Sequence, residues 1–271
     1  MSILKRGTAS LFTTLGMLTR IPLPFPYTPD FTLFPFFFPA AGVFFTAILV
    51  LVYTAASAVL TGTVVLSALI LLTQYLMFNL FHYDGLLDSA DALLYRTDTK
   101  TRLKILKDKS SGSFAVFAGT VYLITKFALL NELIPLIDNL QGTVLLFLYI
   151  FAGRAAGSLV PALTSPARSS GLGFLLKNYS KTKLAAGFLI SLSILFVFFH
   201  FTNSAEANDA DGILAVLQVS GTACAAALPA GVFSALVFKK AVGGFTGDTI
   251  GMAVELGELA YLASLAATQG V

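Results

Sequence analysis

The sequence has few charged residues, no tryptophan, two histidines and a single cysteine. Charged residues make up 11% of the 271 positions, whereas a soluble domain carries about 25%. With 56% hydrophobic residues and a mean hydropathy of +0.84, this scarcity argues against an ordinary soluble domain and predicts an integral membrane protein. Cys224 has no second cysteine for an intramolecular disulfide, and its apolar neighbours favour core packing.

Apolar stretches of membrane-spanning length recur along the chain. We expect them to form one all-α, polytopic membrane domain over residues 1–271 with about seven transmembrane helices. The predicted spans are residues 36–60, 63–83, 113–131, 133–153, 184–202, 212–238 and 249–269. In the N-terminal segment, residues 1–30, the helical spacing of Leu11, Leu15 and Leu18 predicts a short helix in the membrane interface, before a proline-rich connector.

The distribution of basic residues predicts the orientation of these spans. The basic segments are residues 84–112, 154–183 and 239–248. The links near residues 131–132 and 203–211 contain no lysine or arginine. A cytoplasmic N-terminus puts every basic residue except Lys126 on the cytoplasmic side, as the positive-inside rule requires. We therefore expect a multi-pass protein of the plasma (inner) membrane whose polar motifs all face the cytoplasm.

Three aspartates follow the second predicted span within eight positions: Asp84, Asp88 and Asp91. On a helix their spacing of four and then three residues places them within an arc of roughly 60° on one face. Carboxylates held so close repel one another unless a hard divalent cation lies between them. Asp84 could instead cap a helix, but Asp88 and Asp91 cannot both be caps of that helix. The triplet therefore favours a metal site.

A second acidic group lies on the last predicted span, where Asp248, Glu255 and Glu258 follow one another at helical spacing. A carboxylate at the centre of a membrane costs roughly 2.5–3.5 kcal/mol on insertion scales, so this stripe must face protein or a watery cavity. Asp248 could also be a helix cap. The glycines that precede it, Gly244 and Gly247 among them, suit either phosphate approach or helix packing.

Three further features have a plain structural interpretation beside a functional one. His82 is either a catalytic group or an interfacial hydrogen-bonding residue. Lys126 could extend from its span to the membrane surface. The basic run over residues 96–109 could be no more than a topology signal.

The sequence contains no Ser-His-Asp order, no cysteine pair and no Walker loop with its Gly-Lys-Ser/Thr. What it does contain is acidic residues suited to Mg²⁺, arginines and lysines suited to phosphate, and glycine turns that permit close approach. This inventory predicts metal-assisted phosphoryl transfer at a membrane surface.

Four motifs occur in order along nearly the whole chain. They are Thr19-Arg20-Ile21-Pro22; His82-x-Asp84-Gly85-x-x-Asp88-x-x-Asp91; Pro166-Ala167-Arg168 with Gly171-Leu172-Gly173; and Gly243-Gly244-x-Thr246-Gly247-Asp248 with Glu255 and Glu258. Together they resemble the cobalamin synthase family, the adenosylcobinamide-GDP ribazoletransferases. Two positions depart from the family pattern: Ala92 stands where glycine is common, and Lys107-Asp108-Lys109 replaces an Arg-Asp-Pro type sequence.

The resemblance implies a reaction late in vitamin B12 assembly. Adenosylcobinamide-GDP and α-ribazole, or its 5′-phosphate, give adenosylcobalamin, or its 5′-phosphate, and GMP. It also implies a requirement for Mg²⁺ and a site at the cytoplasmic face of the lipid bilayer. The expected partners are these small molecules and the bilayer, with no nucleic acid; a homo-oligomer is an open alternative to a monomer.

The expected site divides into three overlapping groups of residues. The catalytic candidates are Asp84, Asp88, Asp91, Asp248, Glu255 and His82, with Asp248 or Glu255 as base or metal ligand and His82 as the alternative base. The metal candidates are Asp84, Asp88, Asp91 and Asp248. The substrate-binding candidates are Arg20, Lys104, Asp108, Arg154, Arg168, Gly244, Thr246, Gly247 and Glu258, in which the arginines suit a bidentate hold on phosphate.

Two other functions remain open from the sequence. A phospholipid-type alcohol phosphotransferase also uses a carboxylate cluster, but its signature has an aspartate three residues before the Asp84 position and an Ala-Arg pair after the glycine. Both are missing here. An ion-coupled transporter could use Glu255, Glu258 and Lys126 as a relay, although a transporter does not need its polar groups gathered at one face.

Overall fold

The computed structural model describes residues 3–20, 22, 27–108, 110–202 and 209–270, and within these residues the regular secondary structure is helical. The helices are α1 (Ile3–Leu18), α2 (Phe34–Ser57), α3 (Thr63–Leu94), α4 (Thr99–Ile105), α5 (Ser113–Leu133), α6 (Leu140–Phe147), α7 (Tyr149–Leu163), α8 (Leu172–Leu175), α9 (Lys181–Thr202), α10 (Asp209–Val242) and α11 (Gly247–Gln269).

Six helical segments of the described chain are long and apolar enough to cross a membrane. They are Phe34–Ser57, Thr63–Leu94, Ser113–Leu136, Leu140–Leu163, Lys181–Thr202 and Gly247–Gln269. The predicted class, an all-α multi-pass membrane protein, is thereby confirmed. The predicted span at 212–238 falls inside α10, but many of its side chains lie outside the described residues. The count of seven and the orientation of the N-terminus therefore stay predictions.

The fourth span differs from its predicted position, 133–153, because the chain breaks earlier than its hydropathy indicates. Pro135 lies in a short 3₁₀ turn, Ile134–Leu136, that ends the preceding helix. Asn139 then caps the next helix by accepting a hydrogen bond from the Gly142 amide at 2.8 Å. The span consequently runs over Leu140–Leu163. This shift places Arg154, which we expected in a cytoplasmic loop, inside the span.

The aspartate triplet also differs from expectation, because it does not begin a new helix. It belongs to α3, which continues from Thr63 to Leu94 over 32 residues. At 1.5 Å per residue, α3 is about 48 Å long, which exceeds a hydrocarbon core of about 30 Å. One turn of α3, Tyr75–Asn79, is a π-helix, a local widening that often occurs at functional positions.

The central helix is α7, whose residues from Tyr149 to Ser158 are all buried. A helix that is apolar on every side belongs in the interior of a bundle. Its glycines permit close packing: a Cβ on Gly153 would lie 2.7 Å from the Val254 carbonyl oxygen, and one on Gly157 would lie 2.6 Å from the Val254 side chain. Small residues at such positions let the backbones of α7 and α11 approach each other.

Helix α1 is held against the segment that follows it. The Thr13 hydroxyl accepts a hydrogen bond from the Asp30 amide at 2.8 Å, and Arg6 lies 3.5 Å from the Asp30 carboxylate. Hydrogen bonds from Thr32, together with the charge of Arg6, lower the pKa of Asp30. The Arg20 amide also donates to the Met77 carbonyl oxygen of α3 at 2.8 Å. These contacts fix the end of α1 beside the π-helical turn.

Candidate active site

Helices α3 and α11 touch through a pair of glycines next to the acidic residues. A Cβ on Gly85 would lie 2.9 Å from the Asp248 carbonyl oxygen, and one on Gly251 would lie 2.8 Å from that of His82. The Ser89 hydroxyl donates to the Asp248 carbonyl oxygen at 3.3 Å. Asp248 therefore lies beside the aspartates of α3 at one end of the bundle, although it follows Asp88 by 160 residues in the sequence.

The carboxylates at this end of the bundle act on one another electrostatically. The negative charges of Asp84, Asp248, Asp91 and Asp108 all act on the Asp88 carboxylate. Asp84 is exposed, whereas Asp88 and Asp248 are half-buried. In the described part of the chain, no basic side chain lies within ion-pair distance of Asp84, Asp88 or Asp248. The site therefore concentrates negative charge that a cation would stabilise.

The carboxylates are not already arranged as a set of metal ligands. Among the described residues, no three histidine, cysteine, aspartate or glutamate side chains are placed to hold an ion together. A cation would require the carboxylates of Asp84, Asp88 and Asp248 to move closer together. Their oxygen donors and their lack of a described ion-pair partner fit such an ion.

Asp91 has a contact that the sequence did not predict. One of its carboxylate oxygens accepts a hydrogen bond from the Gly112 amide at 2.6 Å, and the other accepts from the Ala115 amide at 2.9 Å. Asp91 therefore caps helix α5, a different helix from its own. A Cβ on Gly112 would lie 2.8 Å from the Asp91 carboxylate, so a larger residue here would push that carboxylate away from the amides.

Helix α11 begins with a cap made by Thr246. The Thr246 side chain accepts from the Thr249 amide, and the Thr249 side chain accepts from the Thr246 amide in return. The alternative that Asp248 is the cap is therefore wrong. Instead the Asp248 carboxylate accepts a hydrogen bond from the Thr246 hydroxyl at 3.1 Å, which holds this carboxylate beside the first turn of α11.

Two loops pair to bring Arg168 to Asp248. The Ala167 amide donates to the Phe245 carbonyl oxygen at 2.8 Å, and the Phe245 amide donates to that of Ser165 at 3.0 Å. A Cβ on Gly244 would lie 2.2 Å from the Ser165 carbonyl oxygen. Gly244 is therefore buried in this pairing, and its small size serves loop contact.

Arg168 lines a cavity of about 160 Å³ together with Gly173, Thr246, Gly247 and Asp248. One guanidinium nitrogen donates to the Leu103 carbonyl oxygen at 2.7 Å, and its buried Nε has no hydrogen-bond partner. The positive charge of Arg168 acts on Asp248. A guanidinium beside backbone amides and a hydroxyl is suited to phosphate.

The remaining surface candidates lie around this end of the bundle. Lys104 is exposed on α4, and Asp108 is exposed just beyond it. Arg20 and Asp84 line a second cavity, of about 610 Å³. His82 is 2% exposed and lies edge-on to the Phe38 ring. Its ring is thus enclosed by protein, which disfavours it as the base.

Glu255 and Glu258 do not lie with the other carboxylates. They form a buried network with Lys126 and Arg154, and all four side chains have 0% exposure. Both Lys126 and Arg154 pair with Glu258, and Lys126 lies 3.6 Å from Glu255. Lys126 therefore does not extend to the membrane surface. Arg154 and Glu258 were expected to bind substrate, but their side chains are buried and do not reach solvent. The prediction that the acidic stripe faces protein or a cavity is confirmed: Glu255 and Glu258 are buried in protein, and Asp248 lines a cavity.

Three residues of α3 that we did not predict complete this network. Gln74 donates to Glu258 at 2.6 Å, Tyr75 donates to Glu255 at 2.9 Å, and Asn79 donates to both carboxylates at 2.9 Å. They lie in or next to the π-helical turn. A signal was present in the sequence, since glutamine and asparagine in an otherwise apolar span must face a polar partner inside the protein.

Comparison with known proteins identifies the family. A family model described as cobalamin-5-phosphate synthase matches residues 10–266. The chain belongs to the cobalamin-5-phosphate synthase family. No solved structure matches it.

Curated relatives of this family member are named adenosylcobinamide-GDP ribazoletransferase. The relative from Desulfitobacterium hafniense (strain Y51) is 30% identical over 257 residues, which cover 93% of this chain and 94% of that one. The relative from Acinetobacter baumannii is 31% identical over 229 residues, covering 82% of this chain and 81% of the relative. The chain is therefore an enzyme, a transferase of cobalamin biosynthesis. This assignment favours the resemblance over both the alcohol phosphotransferase and the transporter.

Proposed function

We propose that this enzyme transfers the cobinamide-phosphate group of adenosylcobinamide-GDP to α-ribazole or its 5′-phosphate, at the cytoplasmic face of the plasma membrane. The curated relatives bear the name of this reaction. The observation that supports it best is the meeting of Asp84, Asp88 and Asp248 beside Arg168. A diphosphate substrate needs both charge neutralisation and a fixed guanidinium, and this end of the bundle offers groups for each.

The reaction is a substitution at phosphorus. A ribose hydroxyl oxygen of ribazole forms a bond to the phosphorus that bears cobinamide, and the bond from that phosphorus to the oxygen of GMP breaks. The hydroxyl proton passes to a base, and GMP leaves with the bonding electron pair. Because a ribazole that enters with a 5′-phosphate keeps it in the product, the attacking hydroxyl is not the one at the 5′ position.

Asp84, Asp88 and Asp248 are the residues that would hold Mg²⁺. When bound, the ion neutralises charge on the diphosphate and on the departing GMP. Asp91 contributes differently, because both of its oxygens already accept backbone amides of α5. We assign it the task of holding α3 and α5 together at the site.

Arg168 binds the diphosphate in this proposal, since it lines a cavity with Asp248 and the first residues of α11. Thr246 and Gly247 lie at the same helix N-terminus, where backbone amides attract anions. Glu255 is not the base, because its carboxylate is fully buried and accepts hydrogen bonds from Tyr75 and Asn79.

The experiment is a transfer assay with the enzyme purified in detergent. We expect GMP release from adenosylcobinamide-GDP to require both ribazole and Mg²⁺. Asp88→Asn should lower kcat at least about 100-fold while the protein stays monodisperse, a loss typical of removing one charge-stabilising group. Asp138→Asn is the matched control, since Asp138 is exposed near the opposite end of α5. Full activity of Asp88→Asn, or full activity in EDTA, would contradict the proposal.

A further inference from the structure

The larger cavity at this end of the bundle has a composition that suits one particular substrate. It lies between the C-terminal end of α1 and the acidic half of α3 and has a volume of about 610 Å³, within the range of about 300–1,000 Å³ typical of small-molecule sites. It is lined by Gly16, Met17, Leu18, Thr19, Arg20, Phe78, Leu80, Phe81, Tyr83, Asp84 and Leu87.

The lining has one apolar, aromatic side and two charged groups. Phe81 and Tyr83 offer ring surface to a flat ligand, whereas the Phe78 ring is buried and stacked on Phe45. Arg20 is exposed, and among the described residues no carboxylate forms an ion pair with it. Its backbone amide donates to the Met77 carbonyl oxygen, which fixes the main chain of Arg20 beside the cavity. The cavity thus combines an aromatic surface with one positive charge.

The two cavities are neighbours, and each includes one carboxylate of the acidic cluster. Asp84 lines the larger one and Asp248 lines the smaller one with Arg168, while Phe81 lines both. A substitution at phosphorus needs the attacking and leaving oxygens roughly in line, on opposite sides of the phosphorus. Separate cavities next to one acidic cluster suit such a reaction, with the nucleophile in one and the diphosphate in the other.

We infer that the larger cavity binds ribazole, with Arg20 holding its 5′-phosphate. The flat base of ribazole packs against the aromatic side, a ribose hydroxyl lies toward Asp84, and the phosphate pairs with the guanidinium. Adenosylcobinamide-GDP also carries a flat base, guanine, but that base is joined to the diphosphate, which the proposed function places beside Arg168 in the other cavity. This inference rests on the proposed function and adds that Arg20 sets the preference for the phosphorylated form of ribazole.

The test compares ribazole with ribazole 5′-phosphate in wild-type enzyme and in Arg20→Ala. We expect the KM and the calorimetric Kd for the phosphate form to rise about 10- to 100-fold, as for loss of a charged hydrogen bond. For unphosphorylated ribazole both should change by less than about threefold, since no phosphate is there to lose its partner. The KM for adenosylcobinamide-GDP should be unchanged.

Two further variants serve as controls. Arg20→Lys should restore part of the affinity for the phosphate form. Arg96→Ala is the matched control, because Arg96 is exposed and lies outside both cavities.

Two results would overturn the inference. An equal loss for both forms of ribazole would mean that Arg20 acts on structure alone. A rise in KM confined to adenosylcobinamide-GDP would place the other substrate in this cavity. Failure of the proposed function would look different, because wild-type enzyme would then release no GMP with either form of ribazole.

Discussion

Neutralising Glu258 should destabilise the protein strongly. Its carboxylate pairs with Lys126 and Arg154 and also accepts hydrogen bonds from Gln74 and Asn79. Lys126, Arg154, Glu255 and Glu258 together carry two positive and two negative charges with no exposed side chain. In Glu258→Gln, Arg154 loses the carboxylate with which it pairs and only Glu255 remains against the two cations, so one buried positive charge is uncompensated.

The size of this effect follows from the cost of a stranded charge. Removing one partner of a buried ion pair costs about 3–5 kcal/mol, a large fraction of a typical unfolding free energy of about 5–15 kcal/mol. By the scaling of soluble domains of similar length, the unfolding temperature should fall by about 6–20 °C. The measurement is thermal unfolding in detergent, followed by the loss of monodisperse protein. Glu132→Gln is the control, because Glu132 is exposed and its loss should change little.

A second variant separates charge balance from loss of particular contacts. Glu258→Gln combined with Lys126→Met restores neutrality, so it should recover part of the lost unfolding temperature even though two polar groups are gone. The reasoning would be refuted if Glu258→Gln were as stable as wild type, or if the double variant were less stable than the single one. Either result would mean that the four charges are not balanced against one another.

Two further predictions concern contacts near the acidic cluster. Gly251→Ala should lower kcat with little loss of expression, because the new Cβ would lie 2.8 Å from the His82 carbonyl oxygen and push α3 away from α11; the transfer assay measures this, and unchanged kcat would contradict it. Asp91→Ala should lower the unfolding free energy by about 0.5–2 kcal/mol through loss of the α5 cap. Denaturant titration in detergent would detect this, and Asp98→Ala, which removes the cap of the short α4, should cost less.

The sequence predicted those features of the site that depend only on residue spacing along one helix. Asp84 and Asp88 lie one turn apart on any helix, so their shared face follows from the period alone. The stripe from Asp248 to Glu258 likewise had to face protein, because a membrane does not tolerate it elsewhere. These two inferences need no knowledge of how the helices pack.

The sequence could not predict which residues of other helices the polar side chains contact. From the sequence, Arg154 is expected just beyond the cytoplasmic end of a span. The 3₁₀ turn makes that span begin later, at Leu140, so that Arg154 lies inside it and pairs with Glu258, 104 residues away. Asp91 has the spacing of a metal ligand, yet its bonds to Gly112 and Ala115 depend on where α5 begins in space. Contacts between helices distant in sequence are set by packing, which the pattern of any one helix does not encode.

The buried network and the acidic cluster are linked through the same two helices. Asp248 and Glu258 are ten residues apart on α11, or about 15 Å along its axis, and Asp84 and Gln74 have the same separation on α3. Because α3 and α11 run in opposite directions, one register satisfies both contacts: Gly85 meets Asp248 at one level, and Gln74 meets Glu258 about 15 Å further along. Helices in a membrane gain little from hydrophobic burial, so their register depends on close packing and on polar contacts between them. A slide of one turn, about 5.4 Å, would break every hydrogen bond between Asn79 and the glutamates. The costly buried charges thus hold α3 and α11 in the one register that brings Asp84 and Asp88 to Asp248.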